Sequence, residues 1–140
     1  MMSGPPGEPC TITIRADVDI VSARRLARQI AVTLPLSRGH VAMVATTVSE
    51  LARNILQYAD EGELELRVLE KGLRRGVVVV ARDRGPGIAN LELALRDGFS
   101  TSGGLGLGLP GTRRLMDEFA IESRPGMGTT VTATKWAPTD

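Results

Sequence analysis

Four groups of residues in this 140-residue chain have the types and spacing to do chemistry. Glu50 and Asn54 stand four apart in a helical pattern, which stacks a carboxylate and an amide oxygen about 6 Å apart on one flank. Asp83-Arg84-Gly85-Pro86-Gly87-Ile88 puts a carboxylate directly after an apolar run, and its two glycines let the main chain approach a ligand closely. Gly98 to Gly111 holds six glycines, the hydroxyls of Ser100, Thr101 and Ser102, and Pro110, just ahead of another helical pattern. Without Cβ atoms, consecutive amide N–H groups there can face phosphate oxygens, and the positive end of the following helix adds attraction. Gly128-Thr129 is the fourth group.

Each group alone has a plainer reading. A Glu/Asn pair suits a solvated helix edge, and an aspartate after a strand is often a turn cap. A glycine-rich stretch is often a linker, but Leu105, Leu107 and Leu109 interleave with the glycines and suggest a loop anchored in a core.

The elements that must position these residues follow from periodicity. Thr11 to Arg15 alternates with period two and reads as a half-buried strand. Asp17 and Asp19 offer capping oxygens to a helix carrying Ile20, Ala23, Leu26, Ala27, Ile30 and Leu34, broken by Pro35 and Gly39. The strongest helical pattern runs from Arg38 to Ala59, with Val41, Val44, Val48, Leu51, Ile55 and Tyr58 as one apolar stripe. Leu64, Leu66 and Val68, a turn over Lys71 to Arg75, and the run Val77 to Ala81 read as an antiparallel hairpin whose second strand lies mid-sheet. Leu91 to Arg96 suits a short helix, and Thr112 to Phe119 a longer one with Leu115, Met116 and Phe119 inward. Ala120 to Ser123 and Thr129 to Lys135 form a closing hairpin. Without regular β-α-β alternation, this order predicts an α/β sandwich of two layers, a mixed, mainly antiparallel sheet with helices on one face.

Composition narrows the classes. The length fits one domain, expected over residues 10–136 between a glycine- and proline-rich leader at 1–9 and a tail at 137–140. Seventeen basic against sixteen acidic residues leave a net charge of +1, so no field draws the chain to nucleic acid or an anionic membrane. No apolar stretch approaches the about 20 residues of a membrane span, and a soluble, cytoplasmic protein is expected. Cys10 and His40 are the single cysteine and histidine, which excludes an internal disulfide and makes a zinc site or Ser/His triad hard to build.

Taken in order, Glu50-Leu51-Ala52-Arg53-Asn54, Asp83-x-Gly85-x-Gly87, Gly104-x-Gly106-x-Gly108 and Gly128-Thr129 resemble the N box, G1 box, G2 box and final Gly-Thr element of the GHKL (Bergerat) ATPase and kinase superfamily. The resemblance implies Mg²⁺ and ATP as cofactors. It gives Asp83 the adenine amino group, Thr129 a water-mediated base contact, Asn54 the Mg²⁺ ion, and Glu50 the role of general base. Gly85, Gly87 and Ile88 would line the nucleotide, and Ser100, Thr101, Ser102, Gly104, Leu105, Gly106, Leu107 and Gly108 would form an ATP lid that orders on Mg·ATP binding.

Within the superfamily, Asp19 to Arg24, Ser49 to Ile55, Asp97 to Leu105, Leu109 to Gly111 and Arg114 to Phe119 resemble the switch serine/threonine kinases of the bacterial stressosome. That branch implies STAS-domain partners, an RsbS-like substrate and RsbR-like scaffold, and a PP2C-type RsbU-like phosphatase as the partner reached afterwards. Anti-sigma factor kinases of the RsbW/SpoIIAB type share the fold and are the alternative. A histidine kinase is not the expectation: such kinases carry an acceptor-histidine helix upstream and a longer lid, this sequence has room for neither, and His40 is in the wrong place. Many relatives carry a lysine where Gln57 stands, so a phosphate-contacting cation is missing here, and Arg53 and Arg113 are the candidates to compensate for it.

Overall fold

The computed structural model describes residues 8–87 and 108–138. Its elements are β1 (Cys10–Ile14), α1 (Asp17–Ala31), α2 (Arg38–Ala59), β2 (Gly62–Lys71), β3 (Arg74–Asp83), α3 (Gly108–Leu115), β4 (Glu118–Ser123) and β5 (Thr129–Trp136). The strands make one five-stranded sheet in the order β1-β2-β3-β5-β4. All four pairings are antiparallel, so among the described residues the sheet is more uniform than the mixed one expected. β3 takes the central place that its unbroken apolar run calls for.

Alternation sorts the sheet into two faces. Ile14, Leu64, Leu66, Val68, Val77, Val79, Ala81 and Val131 point to one side and share a core with Ala23, Ala27 and Ile30 of α1 and Val44, Val48, Leu51 and Ile55 of α2. The opposite face has no helix over it among the described residues, and carries Glu63, Glu65, Arg67 and Arg82. Arg82 donates to Glu65 at 3.0 Å there, and Arg74 lies 4.1 Å over the Trp136 ring. Val78 and Val80 on this face are nonetheless buried.

The caps explain where the helices begin and end. Asp19, not Asp17, caps α1: its Oδ2 accepts from the backbone N–H of Arg15 and of Ala16, at 2.9 and 3.1 Å. α1 stops at Ala31, short of Leu34, which is still buried through the turn that follows. α2 has the expected bounds: the Ser37 hydroxyl accepts from His40 N at 3.0 Å, and Asp60 leaves the helix at φ 69°. Tyr58 departs from the expected apolar stripe and is 44% exposed.

The C-terminal third shifts in register from the sequence expectation. α3 begins at Gly108, inside the glycine-rich segment, and ends at Leu115. Phe119 therefore belongs to β4, where it packs against the core. Tertiary contacts stop the helix: Asp117 N donates to Thr134 O at 2.9 Å, and Asp117 Oδ2 accepts from Trp136 N at 2.7 Å. The buried Lys135 ammonium donates to the Leu115 carbonyl at 3.0 Å, placing a cation at the negative end of α3. The β2–β3 turn is tighter than expected: Lys71 pairs with Arg74, leaving only Gly72, at φ 65°, and Leu73 between.

Candidate functional site

The sheet supplies one half of the site through register. Asp83, the last residue of β3, is paired with Gly62 of β2 and with Thr129 of β5, and Thr129 with Ser123 of β4. Gly62, Asp83, Thr129 and Ser123 therefore form one row across four strands. Asp83 follows Val77, Val79 and Ala81 at the two-residue period, so the row lies on the helix-covered face. Ser123 and Thr129 share a hydrogen bond of 2.7 Å, and the Ser123 hydroxyl also donates to Gly128 O at 3.1 Å.

Glycine at position 62 lets α2 sit directly over this row. A Cβ there would lie 2.9 Å from Ile55 Cγ2 and 3.2 Å from the Asp83 Cβ. Beyond the strand, Asp83 Oδ1 accepts from Gly85 N at 2.9 Å, so the carboxylate does cap its turn. Its other oxygen takes no hydrogen bond from the described residues. The turn is wedged between two elements. A Cβ on Gly85 would lie 2.6 Å from that of Ala59 at the end of α2, and one on Gly87, at φ 78°, would overlap the Arg124 carbonyl. Gly126 N donates to Pro86 O at 2.7 Å and ties the same turn to the β4–β5 connection. Gly128, at φ 82°, likewise abuts the Asp83 carbonyl.

α2 supplies the other half through side chains. Thr47, Glu50, Asn54 and Tyr58 recur at three- and four-residue spacing along the flank beside the core stripe. Arg53 Nη1 donates to Glu50 Oε2 in an ion pair. Asn54, half-buried, follows one turn after Glu50. Thr47 is fully buried, and its hydroxyl has no hydrogen-bond partner among the described residues, whereas Ser49, nearby on the helix, donates back to Ala45 O at 3.0 Å. Partial burial pushes the Tyr58 phenol above its ordinary pKa, so it stays a neutral hydroxyl. α3 packs against α2 and carries Gly108 at its first position, with Thr112 Oγ1 donating to Gly108 O at 2.9 Å.

The structure thus brings Asp83, Thr129, Gly85 and Gly87 together at the end of α2, whose flank carries Glu50 and Asn54. Ile88, Ser100, Thr101, Ser102, Gly104, Leu105, Gly106 and Leu107 lie outside the described residues, as does the short helix expected over Leu91 to Arg96. Sequence reasoning overlooked Ser123, Tyr58 and Thr47 as neighbours of the site. Tyr58 was legible as the position four after Asn54, whereas Ser123 needed the strand register. Among the described residues no three His, Cys, Asp or Glu side chains cluster as a metal cage. One amide oxygen from Asn54 does fit a Mg²⁺ ion whose remaining ligands are phosphate and water, the usual manner for that cation.

The chain belongs to the histidine kinase-, DNA gyrase B- and HSP90-like ATPase family, whose model matches residues 39–139. It is 45% identical over 125 residues to the serine/threonine-protein kinase RsbT of Bacillus subtilis (strain 168), covering 89% of this chain and 94% of that one. The anti-sigma F factor of Thermoanaerobacter sp. (strain X514) is 28% identical over 122 residues, with 84% of this chain and 85% of that one covered. Among solved structures, the RsbU and RsbW domains of Rv1364c from Mycobacterium tuberculosis share the fold at a TM-score of 0.60 and 21% identity; 96% of this chain matches about a third of that one, 34%. The catalytic domain of histidine kinase ThkA matches at a TM-score of 0.53 and 15% identity, over 91% of this chain and 96% of that one. The protein is accordingly an ATP-using protein kinase on the GHKL fold. No helix among the described residues is long and apolar enough to cross a membrane.

Proposed function

We propose that this chain transfers the γ-phosphoryl group of ATP to a serine or threonine hydroxyl of a STAS-domain protein in a cytoplasmic stress-signalling cascade. It then changes partner to activate a PP2C-type, RsbU-like phosphatase. The observation that carries the chemistry is the Asp83–Thr129 row beneath the end of the helix whose flank bears Glu50 and Asn54. The likeness to RsbT over nearly the whole of both chains supports the pathway.

In this reading the second carboxylate oxygen of Asp83 accepts from the adenine amino group, and Thr129 reaches the base through water. Guanine has no amino group at that ring position, so the same oxygen selects adenine. Gly85 and Gly87, together with Ile88, let the main chain approach the nucleotide. Gly108 and the glycine-rich residues before it cover the phosphates. Asn54 holds Mg²⁺, which supplies charge neutralisation on the phosphate oxygens. Glu50 accepts the proton of the attacking hydroxyl as the new O–P bond forms, the bond from phosphorus to the β–γ bridging oxygen breaks, and ADP leaves. Positioning and electrostatics supply most of the rate.

Replacing Glu50 by Gln keeps the shape and removes the base. Expected are ATP affinity within about threefold of the parent by calorimetry and a fall in transfer to a purified RsbS-like protein of about 100-fold or more. Unchanged transfer discards Glu50 as the base. The anti-sigma F relatives, such as the 36% identical one of B. subtilis over 66% of each chain, favour a second reading, sequestration of a sigma factor by the same fold. Pull-down against a sigma factor and against a PP2C phosphatase separates the two.

A further inference from the structure

We propose that Arg53 is a positioning residue for phosphoryl transfer: its guanidinium holds the Glu50 carboxylate in one place on the flank of α2, and it is not the phosphate-contacting cation that Gln57 leaves wanting. The inference rests on the reading of Glu50 as the base.

Two exposures decide the direction of the interaction. The Glu50 side chain is 12% exposed, whereas that of Arg53 is 43% exposed. A carboxylate so far out of water is costly unless a cation and hydrogen bonds replace its hydration. Arg53 bears no such burden, because it keeps much of its own solvent. The pair therefore serves the needs of Glu50, and a long stem on the flank of α2 carries the charge to it. Spacing favours the same pairing, since an acid placed three residues before a base on a helix lies within reach with the better orientation toward the helix dipole.

The contact also matters for chemistry. A glutamate takes a proton efficiently only if it is ionised and stays in one rotamer when the acceptor hydroxyl arrives. Glu50, Arg53 and Asn54 lie within five consecutive positions of one helix, so base, its holder and the metal-binding amide move as a unit. Sequence alone left Arg53 as a candidate for the missing lysine. The ion pair gives its guanidinium a different partner, and the two roles leave different kinetic marks. A phosphate contact is felt in ATP affinity; a holder of the base is felt in kcat.

The test uses the full chain, Mg·ATP and a purified RsbS-like STAS protein as acceptor. Arg53→Gln is expected to lower kcat for transfer about 10- to 100-fold while KM and Kd for ATP move by less than about threefold. Arg53→Lys, which can still pair with Glu50, restores most of the rate. In a Glu50→Gln background, Arg53→Gln adds less than about a threefold further loss, because the group it serves is gone. Circular dichroism and melting on each variant show whether the fold is kept, and Arg53→Lys provides the reading should Arg53→Gln fail to fold. The proposal is overturned by an undiminished kcat in Arg53→Gln, by a loss confined to ATP affinity, by a lysine no better than glutamine, or by additive losses. If Glu50→Gln is inactive and Arg53→Gln transfers normally, this inference alone fails. Should Glu50→Gln transfer normally, the base assignment fails first and takes the inference with it.

Discussion

The two halves of the site are built by different means. At the strand end, Asp83 is set by register between Gly62 and Thr129, and the turn after it is packed so closely that Cβ atoms on Gly85, Gly87 or Gly128 would collide with neighbouring main chain. On the flank of α2 nothing of the kind constrains Glu50, Arg53 and Asn54. Their places follow from helical period, and an ion pair joins the Arg53 and Glu50 side chains. Backbone crowding ties the turn of the first half to folding, while the second can be altered with the fold intact. Lesions at the strand end should therefore appear in stability and binding, and those on the flank in rate.

The sharpest attempt to break that division is Gly87→Ala. The new methyl lies 2.8 Å from the Arg124 carbonyl carbon, and φ 78° is unfavourable for any L side chain. Overpacking and strain together should cost about 3 kcal/mol, or roughly 10 °C in Tm, with ATP affinity falling in parallel. Gly72→Ala is the matched control. Gly72 also has positive φ, at 65°, yet nothing lies within 4 Å of the added Cβ, so only the backbone penalty of about 1 kcal/mol remains. Equal melting losses for the two variants would mean that crowding around the turn contributes nothing.

Asp83→Asn comes next and separates binding from folding within the strand-end half. Gly85 N needs an oxygen acceptor, and asparagine supplies one, so the turn keeps its cap. That choice forces the asparagine NH₂ into the place of the second carboxylate oxygen, where it meets the adenine amino group donor to donor. ATP affinity should fall about 10- to 100-fold by calorimetry, the worth of a hydrogen bond to a charged group, with Tm nearly unchanged. Normal affinity would remove Asp83 from base recognition.

What the sequence made legible follows the same division. Helical period gave the bounds of α2, where the structure shows Ser37 and Asp60 capping its ends, and placed Glu50 and Asn54 on a common flank. It overran at Tyr58, where the apolar stripe was extended one step too far onto the flank of the site. The Asp83-x-Gly85-x-Gly87 and Gly128-Thr129 elements were visible as residues, but their adjacency is a matter of register between strands far apart in the chain, which no local pattern encodes. Ser123 went unnoticed for that reason. α3 was misplaced because its first turn is made of residues that read as loop, Gly108 to Gly111, while its end is fixed by Asp117 bonding to β5. Neither cause is local.

The smallest expected effect probes how far the flank of α2 extends. Thr47 precedes Glu50 by three residues and is wholly buried, yet its hydroxyl has no partner among the described residues. A buried hydroxyl without a hydrogen bond forfeits its hydration and gains nothing in return, so an isosteric methyl is the better occupant. Thr47→Val should raise stability by up to about 1 kcal/mol, a gain of about 3 °C in Tm, and leave transfer within about twofold of the parent. A melting gain with a loss of transfer would give the hydroxyl a partner that arrives only with substrate, and would lengthen the working flank by one turn. A melting loss would mean that the hydroxyl is satisfied in the folded protein, and that the flank here is as tightly built as the strand end.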